Sequence, residues 1–361
     1  MEQSIRRFQE MLDASGLDGA WIAAPEELSS TNLRYLSGFT GSSAHLLVTR
    51  TASYLITDFR YWDQASSECP QCEIIRSKKS VSEIVAGLVI DHRLRYLGFE
   101  TEKVPVAMWK NWSAEVPVVW KPLDKMVEKL RLIKYPAEIE AIRAAARIAG
   151  ESLMEVLGSV VGRKELDVAL DLELAMRRRG AESLGFSTII GSGERGALPH
   201  AHPTDRVIQA GELVTVDFGA QVNGYKSDET LTFATGPVSE ELKTIWNIVA
   251  KAQAAGIAAV KPGATSRDVD TAVRTIIGDA GYGERFGHGT GHGVGLDIHE
   301  NPFASQNPQQ EQVLEVGMTI TVEPGIYIPG LGGARLEDTL VITENGAERL
   351  TIVPKSFQII S

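Results

Sequence analysis

Three histidines fall within twelve residues of one another in the stretch Gly287-His288-Gly289-Thr290-Gly291-His292-Gly293-Val294-Gly295-Leu296-Asp297-Ile298-His299-Glu300. Glycine at this density lets backbone and ligand approach closely. The stretch does not fit Gly-x-Gly-x-x-Gly, and no Gly-Lys-Ser/Thr follows it, so neither nucleotide-binding loop applies. His200 and His202 lie upstream, and five of the seven histidines sit between residues 200 and 299. A lone histidine is usually structural, whereas three in one glycine-rich segment point to a site.

Carboxylates supply the other half of the chemistry, and they come in a repeat. Gly211-Glu212-Leu213-Val214-Thr215-Val216-Asp217-Phe218-Gly219 aligns with Gly317-Met318-Thr319-Ile320-Thr321-Val322-Glu323-Pro324-Gly325, which sets Asp217 against Glu323. Downstream, Asp228-Glu229-Thr230-Leu231 answers Glu337-Asp338-Thr339-Leu340. Upstream, Gly162, Asp167 and Gly180 answer Gly263, Asp268 and Gly281. Each copy reads as a helix, a loop with glycine stops and a pair of strands. Strand alternation puts Val or Ile on one face and Thr with the carboxylate on the other. Two halves packed about a pseudo-two-fold axis would bring four acids together, and four facing carboxylates in an apolar setting cannot all stay ionised without cations. A single strand acid ordinarily faces solvent; four at repeat-equivalent, apolar-flanked positions do not fit that pattern. Four carboxylates with one or two histidines form an oxygen-rich ligand set suited to Mn²⁺, or to Co²⁺ or Zn²⁺. Such a set suits a pair of metals about 3.5 Å apart, and hydrolysis of a peptide bond fits the chemistry of the pair.

The elements that must position these residues follow from length and pattern. A chain of 361 residues suits two domains. Residues 1–125 read as a small α/β domain, with a helix from Ile5 to Gly16 and strands at Gly19–Ala23, Ala44–Thr49, Ser53–Thr57, Cys72–Ile75 and Tyr96–Phe99. A helix beginning at Val81 separates the last two. The boundary falls between Leu123 and Pro136. Pro136 suits the first turn of the next helix, whose apolar stripe is Ile139, Ile142, Ala146 and Ile148. Residues 126–361 hold the repeat. The fold class is α/β (α+β). Net charge is −11, which disfavours general binding to nucleic acid or anionic membrane. No apolar run is long enough to span a bilayer, and Met1–Phe8 lacks the apolar core of a signal peptide, so a cytoplasmic location is expected. Cys69 and Cys72 have no second pair with which to build a zinc site and are expected to be reduced, incidental thiols in a polar loop.

At these motifs the sequence resembles the pita-bread metallopeptidases: aminopeptidase P, prolidase and methionine aminopeptidase, with metal-free creatinase as a relative. The resemblance rests on Ala197-Leu198-Pro199-His200, Val216-Asp217-Phe218-Gly219, Ser227-Asp228-Glu229-Thr230, His288–Gly295, Val322-Glu323-Pro324-Gly325 and Arg335-Leu336-Glu337-Asp338, in the family's order. In the N-terminal part, Asn32–Ser42 and Ile56–Tyr61 look like the aminopeptidase P and prolidase branch. The resemblance implies a creatinase-like N-terminal domain, a pita-bread catalytic domain and two divalent metal ions. Asp217 and Asp228 would bind one metal and Asp228 would also reach the second; His292 and Glu323 would complete the second, and Glu337 would bridge both. Glu323 would also take the proton of the nucleophilic water. His299 would stabilise the oxyanion, His200 and His288 would line the proline side and assist proton transfer, and Arg335 would orient the carboxylates from behind. The implied substrates are peptides with proline second, and the implied assembly is a homodimer.

Within the branch, an aminopeptidase P cleaves longer peptides, and a prolidase only Xaa-Pro dipeptides. The expectation is aminopeptidase P activity, with prolidase as the alternative. A catalytically inactive pita-bread binding protein is the reading from another class. A creatinase-like enzyme or an inactive binding protein would lack metal ligands, and none is missing here.

Overall fold

In the computed structural model, residues 2–26, 31–158 and 160–360 are described. The chain divides into two units, Met1–Arg131 and Leu132–Ser361. The sequence-based boundary at 125/126 coincides with the start of a helix, Met126–Leu132.

The first unit opens on α1 (Glu2–Ala14), which buries Ile5, Phe8 and Leu12, one face of an amphipathic helix. It stops ahead of Gly16, which takes φ +69°. The strands are β1 (Gly19–Ala24), β2 (Ala44–Thr49), β3 (Ser53–Thr57), β4 (Glu73–Arg76), β5 (Tyr96–Phe99) and β6 (Val119–Pro122), and they form one mixed sheet in the order β4-β3-β2-β1-β5-β6. β1–β2 and β2–β3 are antiparallel, and the other pairs are parallel. Helices α2 (Thr31–Ser37), α3 (Trp62–Glu68), α4 (Val81–Asp91), α5 (Val106–Glu115) and α6 (Met126–Leu132) complete it. The expected strands are present. β6 was not expected, because Val119-Trp120-Lys121-Pro122 is a short, largely exposed edge with no alternation to read. Trp21 and Trp112 stack with centroids 3.8 Å apart in the core. Beside them, burial pushes His45 down to about 4, so it serves as a neutral acceptor for the Trp21 indole N–H.

The second unit begins with α7 (Pro136–Val156). Pro136 occupies the first turn, and the Tyr135 N–H donates to Glu138 Oε2 at 2.7 Å. Ile142, Ala146 and Ile148 are buried, and the helix packs within this unit rather than acting as a separate connector. There follow α8 (Glu165–Arg178), β7 (Ser183–Leu184), β8 (Ile189–Ser192), β9 (Leu213–Phe218), β10 (Ala220–Val222), β11 (Tyr225–Lys226) and β12 (Glu229–Ala234). Then come α9 (Glu240–Ala259), α10 (Ser266–Asp279), β13 (Gly291–Gly293), β14 (Glu300–Ala304), β15 (Thr319–Val322), β16 (Gly325–Ile328), β17 (Gly332–Arg335), β18 (Asp338–Thr343) and β19 (Gly346–Arg349). The sequence repeat becomes two matching antiparallel ladders, β9–β12 and β15–β18. Their backs carry Val214, Val216, Phe218, Phe233, Ile320 and Val322, all at 0% exposure. Each large apolar side chain buried this way contributes about 1.5–3 kcal/mol. Among the described residues, no helix is long and apolar enough to cross a membrane.

Cys69 and Cys72 are free and buried, not displayed in a polar loop: Cys69 caps the end of α3, and Cys72 directly precedes β4. Burial pushes the Cys69 thiol up to about 12, with Cys72 and Glu68 adding to it. Thiolate is the reactive form. Native protein at pH 8 is therefore expected to resist a thiol reagent such as dithionitrobenzoate, and protein in denaturant to release two equivalents at once. Rapid native labelling of both thiols would contradict this burial.

Candidate metal centre

The two ladders explain why the acids converge. Asp217 lies near the end of β9 and Asp228 just before β12; Glu323 follows the end of β15 and Glu337 just precedes β18. Antiparallel pairing sets those ends together in each half, with Asp217 opposite Thr230 and Val322 opposite Asp338. Alternation then decides which acids face the site. Glu229 and Asp338, one residue beyond Asp228 and Glu337, point to the other face. There they are fully buried against Lys355, which pairs with Glu229 Oε1 and lies 3.5 Å from Asp338 Oδ1. This internal ion pair offsets the charge of the acids that do not enter the cleft, although Glu229 Oε2 is left without a hydrogen-bond partner.

The cleft has a volume of about 480 Å³. His200, Asp217, Asp228, His288, His292, His299, Glu323, Arg335 and Glu337 all line it, together with His202 and the apolar Phe186, Ile189, Ile298 and Phe303. Within it, Asp228, His292 and Glu337 are buried and offer ligand atoms that all lie within 4.8 Å of one another. His292 Nε2 is 3.6 Å from Asp228 Oδ2 and 3.3 Å from Glu323 Oε1. His292 Nδ1 faces the Gly293 carbonyl at 3.1 Å. A proton there leaves Nε2 with its lone pair toward the acids, the form a metal requires.

The glycines flanking His292 are needed for close approach. A Cβ at Gly291 would collide with the Thr321 carbonyl, and one at Gly293 with the Asn301 carbonyl. The Thr321 hydroxyl accepts from the His292 N–H at 3.0 Å and donates to Glu323 Oε1 at 3.3 Å, so a threonine on the acid face ties His292 to Glu323. Thr230, on the first ladder, crosses to the second half by donating to Glu337 Oε2 at 2.7 Å.

Arg335, 3% exposed, donates to Asp217 Oδ2 at 2.8 Å, to Tyr327 Oη at 3.1 Å and to the Pro199 carbonyl at 3.1 Å. Tyr327 Oη lies 2.8 Å from His288 Nε2. A hydrogen-bonded chain therefore runs Asp217–Arg335–Tyr327–His288. Sequence reasoning missed Tyr327, His202 and Lys355. Tyr327 stands in an ordinary strand pattern, His202 is merely close to His200, and Lys355 is far from every motif.

The electrostatics follow from crowding. Burial, then the Glu337 and Asp217 charges, raise Asp228 well above the carboxylate range; burial, then Glu323 and Asp217, do the same to Glu337. Burial also raises Asp217, against the pull of Arg335. Burial opposes ionisation of Glu323 too, but the His292 hydrogen bond and charge outweigh it and hold Glu323 low. Burial, then His292, lower His299, whose ring centroid is 4.3 Å from that of His292.

Comparison with known proteins agrees with this geometry. Residues 140–344 match metallopeptidase family M24, and residues 5–133 match the creatinase/prolidase N-terminal domain. A Xaa-Pro dipeptidase of Pyrococcus furiosus is 38% identical over 360 residues, covering 97% of this chain and 98% of that protein. A solved Xaa-Pro dipeptidase from Bacillus anthracis superposes with a TM-score of 0.94 at 40% identity, covering 99% of both chains. The X-Pro aminopeptidase of Thermotoga maritima gives a TM-score of 0.92 at 34% identity, covering 98% of this chain and all of that one. The chain belongs to metallopeptidase family M24, with a creatinase-type N-terminal domain and a pita-bread domain, and is a metal-dependent hydrolase.

The residues present fit divalent cations. Asp217 Oδ1 and Glu337 Oε1 are buried without a hydrogen-bond partner, and such atoms are costly unless something positive meets them. The donors are four carboxylates and an imidazole, with no thiolate. Mn²⁺ is therefore expected to raise the unfolding temperature and a chelator to lower it. Glu337→Gln separates the two effects. It removes one of the crowded charges, so the chelated variant is expected to unfold at or above the temperature of the chelated parent, with the Mn²⁺ increment lost. Thermal scans with and without Mn²⁺ check this; a full increment in the variant would remove Glu337 from the ligand set.

Proposed function

We propose that the protein is an Xaa-Pro dipeptidase that releases free proline from Xaa-Pro, with Asp217, Asp228, His292, Glu323 and Glu337 holding two divalent metal ions, manganese by preference. The observation that carries the hydrolase half of this reading is the convergence of four carboxylates and an imidazole in one cleft beside four further histidines. Near-full-length likeness to Xaa-Pro dipeptidases supports the dipeptide limit and favours it over the aminopeptidase P activity expected from sequence. A homodimeric, cytoplasmic enzyme belongs to the same reading.

When bound, the metal pair supplies a nucleophilic water near neutral pH and polarises the scissile carbonyl. The chain's own groups do the rest. Glu323 takes the proton of the attacking water. His299 donates a hydrogen bond to the developing oxyanion. His288, buttressed by Tyr327 Oη, and His200 serve the leaving nitrogen. Proline leaves as a secondary amine, so the nitrogen must gain a proton as the bond breaks. Phe186, Ile189, Ile298 and Phe303 give the pyrrolidine ring an apolar wall. Arg335 is tied to Asp217, Tyr327 and Pro199 and holds the acids rather than the substrate.

Likeness to an X-Pro aminopeptidase keeps aminopeptidase P activity as a second reading. Hydrolysis of Ala-Pro and Ala-Pro-Ala by Mn²⁺-loaded protein decides between them. Chelator-sensitive cleavage of the dipeptide alone is expected; efficient cleavage of the tripeptide would make the enzyme an aminopeptidase P. Cleavage of neither, with Mn²⁺ bound, would favour a binding protein. His299→Ala is expected to lower kcat by roughly 10²–10³-fold, and an unchanged kcat would withdraw the oxyanion role. Asp228→Ala is expected to abolish turnover, and full activity at the parent's metal occupancy would refute the two-metal mechanism.

A further inference from the structure

Besides Glu229 and Asp338, two further fully buried acids lie outside the ligand set. Glu165, at the start of α8, is 0% exposed and meets only donors. Its Oε1 accepts from the Ser192 N–H at 2.9 Å and the Ser192 hydroxyl at 2.7 Å. Its Oε2 accepts from the Thr204 N–H at 3.1 Å, the Thr204 hydroxyl at 2.8 Å and Arg195 Nε at 3.0 Å. Arg195 in turn donates to the His202 carbonyl at 2.5 Å. One carboxylate thus clamps both ends of the segment 192–204, which carries His200 and His202.

The other half holds the same arrangement. Asp270, on α10 and 0% exposed, accepts at Oδ1 from the Thr290 N–H at 3.2 Å and hydroxyl at 2.7 Å. At Oδ2 it accepts from Arg274 Nε at 2.6 Å and Gln306 Nε2 at 2.7 Å. Arg274 reaches on to the His288 carbonyl. Thr290 stands midway between His288 and His292. In each half, then, a buried helix acid grips a threonine by its N–H and hydroxyl, and an arginine bridges the acid to a histidine's carbonyl.

The two acids do not occupy equivalent positions in the repeat. The alignment that pairs Gly162 with Gly263 and Asp167 with Asp268 sets Glu165 against Ser266, and Ala169 against Asp270. The arrangement therefore is not a residue copied with the repeat; it is the same requirement met from two places. We propose that Glu165 and Asp270 are positioning residues, Glu165 fixing the substrate-side segment with His200 and Asp270 fixing the segment with His288 and the ligand His292. The kinetic part of this proposal rests on the dipeptidase reading above.

Replacement by the amide tests it, because Glu165→Gln and Asp270→Asn keep size but turn one acceptor oxygen into a donor facing donors. The two are expected to fail differently. Glu165→Gln should raise KM for Ala-Pro about tenfold or more while Mn²⁺ affinity, measured by calorimetry, stays at the parent's value. Asp270→Asn should weaken Mn²⁺ affinity by about 10–100-fold and lower kcat. Thr204→Val and Thr290→Val, which lose only the hydroxyl bond, should reproduce each pattern more weakly, and they carry the test if an amide variant does not fold. Unchanged KM, kcat and Mn²⁺ affinity would overturn the proposal. So would identical losses in both halves that merely follow the fall in unfolding temperature. If the parent does not cleave Ala-Pro, the dipeptidase reading fails on its own, and the Asp270 assignment still stands or falls on Mn²⁺ affinity.

Discussion

Like charges held together out of water are the constraint on which the rest of the catalytic unit depends. Asp217, Asp228, Glu323 and Glu337 are gathered where burial and mutual repulsion push three of them toward their protonated forms. Such a cluster costs folding free energy and persists only where the surroundings compel it. The compulsion comes from two antiparallel ladders whose ends bring an acid from each strand to one place. Divalent cations held there would turn the repulsion into binding and so tie the stability of this unit to its chemistry.

The surrounding charges are sorted by strand alternation. Of the acids that face the cleft, Asp217 and Glu337 each keep one oxygen without a hydrogen-bond partner, whereas on the opposite face Lys355 supplies a positive charge between Glu229 and Asp338. Arg335 lies between these cases: it satisfies one oxygen of Asp217 and leaves the other open. Through Tyr327 it also connects the metal side of the cleft to His288. The site is thus one polar network in which ligand geometry and the histidines are set together.

Much of this was legible in the sequence, for physical reasons. A repeat must bury its faces against its own copy, so aligning Asp217 with Glu323 and Asp228 with Glu337 was enough to expect convergence. The dense glycines around His292 announced close packing, and the collisions that a Cβ would make at Gly291 and Gly293 account for them. What could not be read were partners brought in from distant positions by tertiary structure alone. Tyr327 differs from any strand tyrosine only in what it faces. Lys355 and Glu165 belong to no motif, and their roles exist only once the chain is folded. The short edge strand Val119–Pro122 escaped for a different reason, since four mostly exposed residues carry no periodicity.

The four acids and His292 are proposed to hold a pair of metals. The most direct measurement is anomalous diffraction from Mn²⁺-soaked crystals, with metal content determined on the same protein. Two manganese peaks per chain are expected, about 3.5 Å apart, bounded by Asp217, Asp228, His292, Glu323 and Glu337. A single manganese, or two bound away from these residues, would contradict this.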